Sequence, residues 1–178
     1  ESVGYKMKID LHCHTKKVKK GDAPTRTVTP ELFSEKVQKA NVELVAITNH
    51  NAYDFSQYQE LKDLGVCKVW PGIELDAKAK RNGKLFHILI VCDPRKENEF
   101  YRAVSKILGS EDPNTFCTDI QTIVSVFESL EVIYIPHYAD KSKAISEEDR
   151  LLLAAAIPEE RLFLEPRNLR TLGIRAFS

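Results

Sequence analysis

An alternating α/β fold with a mainly parallel sheet is what this 178-residue chain predicts, on three observations. Short β-branched runs alternate with amphipathic stretches, the runs are apolar nearly throughout, and helix start and stop residues fall between them. The runs are KMKIDLHCH, VELVAIT, CKVWPGIEL, KLFHILIVCD, EVIYIPH and RLFLEP. Near-continuous apolar strands separated by helices signal a sheet covered on both faces.

Taken in order, VTPELFSEKVQKAN reads as the first helix, with Thr29 as N-cap and Pro30 at the first helical position. DFSQYQELKDLG stops at Gly65 and KENEFYRAVSKILG at Gly109, both C-terminal glycine signals. TDIQTIVSVFESL places Ile120, Ile123, Val124, Phe127 and Leu130 on one face. SEEDRLLLAAA opens with Ser146 and an acid three residues on, close to a capping box. Between PGIEL and LFHILIV there is no room for a helix, and Asn82-Gly83 is a hairpin turn signal. That pair is therefore expected to be antiparallel. Six strands are too few for an eight-fold barrel but fit most of a smaller, irregular one.

Bulk properties set the class. A 43% apolar and 29% charged composition with 7 glycines describes an ordered globular domain, read as one domain over 1–178. No apolar run reaches the ~18 residues of a membrane span, and the charged start has no signal-peptide core. Cys13, Cys67, Cys92 and Cys117 show no CxxC spacing, which suits reduced thiols and a cytoplasmic location. Net charge is zero, yet lysine and arginine gather in KKVKK, AKAKRNGK and DKSK.

The polar residues at strand ends carry the chemistry. Strand alternation puts Asp10, His12 and His14 on one face, with Leu11 and Cys13 packing on the other. Asn49 and His50 end the VAIT run, Glu74 follows Gly72, His137 ends VIYIP, and His87 lies within KLFHILIV. None of the five histidines falls on a predicted helix. A lone strand-end histidine is usually a hydrogen-bonded loop or core residue. Several imidazoles and a carboxylate converging from separate strand ends form the ligand set of zinc, manganese or iron. Asp10, one step deeper, is placed to hold an imidazole N–H.

At these residues the sequence resembles the PHP family, named for polymerase and histidinol phosphatase. DLHCHT matches the family's HxHT motif, AITNHN its TDH motif, GIELD its glycine-x-glutamate, HILIV its strand histidine and IPHYAD its later histidine, in family order from residue 8 to about 140. The resemblance implies an irregular (β/α)7-type barrel, incomplete over these residues, and hydrolysis of phosphoesters by metal-activated water. It implies two or three divalent ions (Zn, Mn or Fe) on His12, His14, His50, Glu74 and His137, with His87 and Asp22 as further candidates. Asp10 and Asn49 are then orienting residues in the catalytic set. Two departures stand out. Asn49 replaces the aspartate of TDH, and no closing Asp-x-His motif occurs, the last strand offering Glu165 instead. Further domains C-terminal to these residues are therefore expected.

Lys16, Lys17, Lys19, Lys20 and Arg26 follow the HxH pair, and Lys141 and Lys143 follow His137. Around a metal centre they would form a cationic rim for a phosphorylated substrate, with several separate loops suiting a nucleic-acid backbone. Tyr53, Phe55, Tyr58 and Tyr138 are candidates to stack bases, helix-face packing being the alternative. Three functions stay open: a phosphodiesterase or nuclease, a phosphomonoesterase of a small metabolite, and a degenerate scaffold or interaction domain.

Overall fold

Among the described residues, seven strands form one curled, mixed sheet with five α-helices on its outside, a partial barrel. The computed structural model describes residues 6–167; the rest of the 1–178 domain expectation lies outside the described residues. Strands β1 (Ile9–Cys13), β2 (Leu44–Ile47) and β3 (Lys68–Lys78) pair in parallel. β4 (Leu85–Val91) lies antiparallel between β3 and β6 (Ile133–Tyr138), and β7 (Glu165–Pro166) closes the row parallel to β6. The antiparallel excursion is the one Asn82-Gly83 predicts. A strand not predicted, β5 (Thr118–Asp119), pairs with the far end of β3. Its two residues are too few for any periodicity to mark them.

The helices form where caps and spacing place them. Thr29 accepts a hydrogen bond from the Leu32 N–H at the start of α1 (Pro30–Ala40), and Asp54 does the same for Gln57 in α2 (Phe55–Asp63). α3 (Glu97–Leu108) ends at Gly109, whose φ of 55° suits a residue without Cβ. Asp119 caps α4 (Ile120–Phe127), and Ser146 caps α5 (Glu147–Ala156). The capping acid Asp149 is buried and accepts the Lys80 N–H at 3.1 Å, which ties α5 to the β3–β4 hairpin. None of the helices among the described residues is long and apolar enough to cross a membrane.

Two apolar layers lie between sheet and helices. Phe33 and Val37 of α1 and Tyr58 and Leu61 of α2 cover Val45, Ile47 and Val69. Phe100, Val104, Ile123, Phe127 and Leu153 from α3, α4 and α5 cover Ile73, Leu75, Phe86, Ile88 and Ile90. A third cluster fills the inside of the curl: Ala46, Leu89, Val91 and Ile135, with Leu11, Trp70 and Ile133 against them. It forms an apolar floor, and the polar strand ends stand above it.

Leu11 on that floor overturns the simple alternation expected for β1. Asp10 pairs with Val45 but Cys13 with Ile47, so β1 carries one residue more than β2 across this stretch. Such a bulge resets which side chains face inward. Asp10 falls outside and is exposed, Leu11 and His12 turn in, and Cys13 packs outward with the α1–α2 layer. Burial, with Asp10 nearby, pushes the Cys13 thiol up to about 12, as befits a packing residue.

Gly72 lies where β3 is squeezed between its neighbours. A Cβ there would come within 2.9 Å of the Ile90 carbonyl oxygen and 3.0 Å of that of Ile47, backbone atoms of β4 and β2 that cannot give way. Gly72→Ala should therefore cost about 1–3 kcal/mol, the usual overpacking range. Chemical denaturation of the two proteins checks this, and unchanged stability would show that the strands part more easily than the register implies.

Candidate metal centre

Two carboxylates on β3 organise the mouth of the curl. Glu74 and Asp76 are two residues apart on one strand, so both point inward, and each is only 2% exposed. All five histidines of the chain place a ring nitrogen close to Glu74: His12 at 3.1 Å, His137 at 3.2 Å, His14 at 3.6 Å, His87 at 3.7 Å and His50 at 3.8 Å. Asp76 Oδ1 receives Nε2 of His50 at 2.8 Å and Nε2 of His87 at 2.9 Å. Register explains the neighbours: Asp76 faces His87 across β3–β4, His50 bridges to Glu74, and His137 pairs with Glu165.

The sequence reading missed Asp76 and assigned Glu165 no role. Asp76 escapes if β3 is ended at Leu75, whereas the strand runs to Lys78; the i, i+2 rule applied to Glu74 finds it. Glu165 Oε1 lies 2.9 Å from His12 Nδ1, and its Oε2 lies 3.3 Å from His137 Nε2. It thereby links the first strand to the last, which are not neighbours in the sheet. A search for a closing histidine overlooks it.

The orienting residues divide. Asp10 accepts the backbone N–H of His12 at 3.0 Å and reaches no imidazole, because the bulge turns it outward. Asn49 is buried and accepts the N–H groups of Thr15 at 2.9 Å and Lys16 at 3.1 Å, while its amide donates to Thr15 Oγ1 at 3.0 Å. Gln57 grips the same threonine through Oγ1 and its carbonyl. Asn49 thus fixes the turn after His14 and touches no ring. The His137 ring is set by its Nδ1, 3.0 Å from the Ser142 carbonyl, which directs Nε2 to the carboxylates.

The basic loops pair mostly with the centre's own acids. Lys19 Nζ lies 2.6 Å from Asp76 Oδ2, Arg26 NH1 2.9 Å from Asp22 Oδ1, and Lys141 Nζ 2.9 Å from Glu165 Oε1. Asp22 is buried, caps the N–H groups of Val18 and Lys19, and lies 3.6 Å from His50 Nδ1. Lys143 lines the same cavity of about 520 Å³ with these groups. Lys16 pairs with Asp54 and, with Lys17, lines a separate recess; Lys20 is exposed and donates its N–H to Asn114. The AKAKRNGK hairpin lines a groove against α4 and α5 and does not reach the centre.

Electrostatics follow from this packing. Burial alone would lower His12, but Glu165 and Glu74 outweigh it and lift it to about 9. His14, buried with Arg26, His12 and His50 around it, falls to about 4 despite Glu74. Burial opposes ionisation of Glu74, Asp76 and Glu165, yet their imidazole and ammonium partners hold all three well below the usual range, Glu165 at about 2.

The donor set fits divalent ions better than it fits itself. His12 Nε2 and His14 Nε2 are 3.1 Å apart, and a single proton satisfies only one such contact at a time. Buried His14 Nδ1 has no hydrogen-bond partner among the described residues, and His137 Nε2 and Glu165 Oε2 face each other at 3.3 Å without forming a hydrogen bond. Four overlapping trios lie within one ion's reach: His12/His14/Glu74, Glu74/His87/His137, His12/His137/Glu165 and His50/Asp76/His87. Nitrogen and oxygen ligands bind such ions at about 2.0–2.2 Å, so modest contraction of any trio makes a site. Glu74, His12, His87 and His137 each belong to two of these trios.

Among solved structures, the chain is similar to a Bifidobacterium adolescentis protein whose assignment as a metal-dependent phosphoesterase is itself provisional. The TM-score is 0.59 at 11% identity, over 96% of this chain and 83% of that one. It is similar also to an amidohydrolase from Chromobacterium violaceum with bound sulfate and no metal, at TM-score 0.52 and 11% identity, over 83% and 72% of the two chains. The likeness is one of fold. No family model matches the chain, and no curated protein does.

A pH prediction follows from His12. With divalent ions stripped, its raised pKa contributes stability that is fully present below the unfolded value of 6.5 and is lost as pH rises through about 9. Melting temperature of the stripped protein should fall across that window, and His12→Gln should remove the fall. Ion binding must also displace the proton, so calorimetry in two buffers near pH 7.5 should register proton release. No release would show His12 already neutral.

Proposed function

We propose that this chain is a metal-dependent phosphodiesterase acting on nucleic acid, its described residues forming part of an irregular (β/α)7-type PHP barrel. The convergence of all five histidines on the buried Glu74 carboxylate carries this reading. The order of the PHP-like motifs and the fold likeness to a protein assigned as a metal-dependent phosphoesterase support it.

His12, His14, Glu74, His137 and Glu165 would hold ions on one side, and His50, Asp76 and His87, with Asp22 beside them, on the other. Bound divalent ions would supply Lewis-acid polarisation of a phosphoryl oxygen and a lowered pKa for water. Zinc, manganese and iron all suit imidazole with carboxylate.

The chain's own residues do the rest. Arg26 and Lys141 stand at the rim, each on a carboxylate, and can turn to phosphate oxygens, Arg26 with its forked donors. Glu165 Oε2, which receives no hydrogen bond from the described residues, would accept one from water between His12 and His137. The Ser142 carbonyl keeps the His137 Nδ1 proton in place, so Nε2 stays a lone-pair donor. Leu89, Val91 and Ile135 close the floor against bulk water.

The test is turnover by chain reconstituted with Mn²⁺, on bis(p-nitrophenyl) phosphate and on a single-stranded oligonucleotide. Changing groups that merely support a metal ligand costs about 10–100-fold, so His12→Ala and Glu74→Gln should each cost at least about 100-fold, and chelation should abolish turnover. Oligonucleotide affinity should fall steeply with salt. Undiminished turnover in both variants, or less than one ion per chain, would overturn the proposal. A flat salt response would redirect it to a small phosphomonoester.

A further inference from the structure

Beside the metal centre lies a second concavity that the chemistry above does not use. It is a recess of about 700 Å³ formed by Lys16 and Lys17, by Tyr53 ahead of α2 and Phe55 at its first turn, and by Tyr101 of α3. Ligand pockets commonly span about 300–1,000 Å³. Phe55 and Tyr101 rings lie 5.1 Å apart, and Tyr53 lies 6.0 Å from Tyr101, so two elements build one aromatic wall. Tyr101 is 42% exposed, whereas Tyr58 and Tyr138, also candidates for stacking, are buried and cannot serve.

The recess and the centre lie on two sides of one loop. Lys16, Lys17 and Val18 line the recess, and Lys19, Gly21 and Asp22 line the centre. The strand end repeats the division, with Asn49 on the recess and His50 on the centre. Lys17 and Lys19 are two residues apart, which is at most about 7 Å of chain. A ligand with an aromatic ring and a phosphate can therefore occupy both at once.

We propose that this recess is a subsite for the base of a nucleotide unit next to the phosphate at the metal centre, with Tyr101 as its stacking face. The inference rests on the phosphodiesterase reading and names its substrate more closely. Stacking needs an accessible ring, and Tyr101 is the exposed aromatic of the recess, while Lys16 and Lys17 add positive charge along the backbone of the same nucleotide unit. Lys17 has no carboxylate partner among the described residues. The Lys16–Asp54 pair is half exposed, and such pairs are weak enough to exchange for phosphate.

The test compares adenosine 5′-monophosphate with ribose 5-phosphate, which share the phosphate and sugar and differ by the base. Calorimetry on Mn²⁺-loaded chain should give tighter binding of the nucleotide by about tenfold, within the range for one stacked base. Tyr101→Ala should erase that advantage, and Tyr101→Phe should keep it. Equal affinity for the two ligands, or a nucleotide advantage that survives Tyr101→Ala, would overturn the subsite. Metal content measured alongside separates the two proposals. Ions bound without base discrimination defeat the subsite alone, and a chain that takes up no ion defeats the phosphodiesterase reading. Tyr101 lies on the surface of α3, so a melting temperature close to wild type is expected and confirms that the variant is folded.

Discussion

Burying two carboxylates at the mouth of a curled sheet is the constraint around which this molecule is arranged. Glu74 and Asp76 are almost without solvent, and an isolated buried carboxylate costs many kcal/mol unless positive charge meets it. The chain answers with imidazoles from β1, β4 and β6 and from the residues that follow β1 and β2, and with ammonium and guanidinium groups from the loops. Its metal-free form leans on protons and lysines. Divalent ions would satisfy the same carboxylates with fewer compromises, because the one proton on His12 Nε2 faces both Glu74 and His14 Nε2 at 3.1 Å and can serve only one of them.

This gives the lysines after HxH a different first role from the one their position suggests. Read from the sequence, they form a rim awaiting a polyanion. In the structure Lys19, Arg26 and Lys141 neutralise Asp76, Asp22 and Glu165, acids of the centre itself. Any phosphate arriving there competes with carboxylates for these cations. Ions bound to the carboxylates would loosen that hold. Metal and phosphate binding would then be coupled through shared charge.

Much of the site was legible because its residues lie on or just beyond apolar strand runs. His12, Glu74 and His137 lie on β1, β3 and β6, His14 and His50 follow β1 and β2, and the curled sheet gathers them at its mouth. Thr29, Ser146, Gly65 and Gly109 marked helix ends through local chemistry that needs no tertiary context. Asp10 was misplaced because a single-residue bulge cannot be read from alternation alone. Asp76 depended on where β3 ends, and that end is set by pairing with β4 and β5 rather than by local propensity. Glu165 acquires its place only when the curl brings β7 against β1, a contact 153 residues apart in sequence.

Anomalous diffraction from crystals soaked in Mn²⁺ reads out directly whether the buried carboxylates gather divalent ions. Peaks are expected beside the Glu74 carboxylate, one at His12 and His14 and another at His50, Asp76 and His87. A map with no peak within ligand distance of Glu74, at full soaking concentration and with the histidine rings in place, would contradict this.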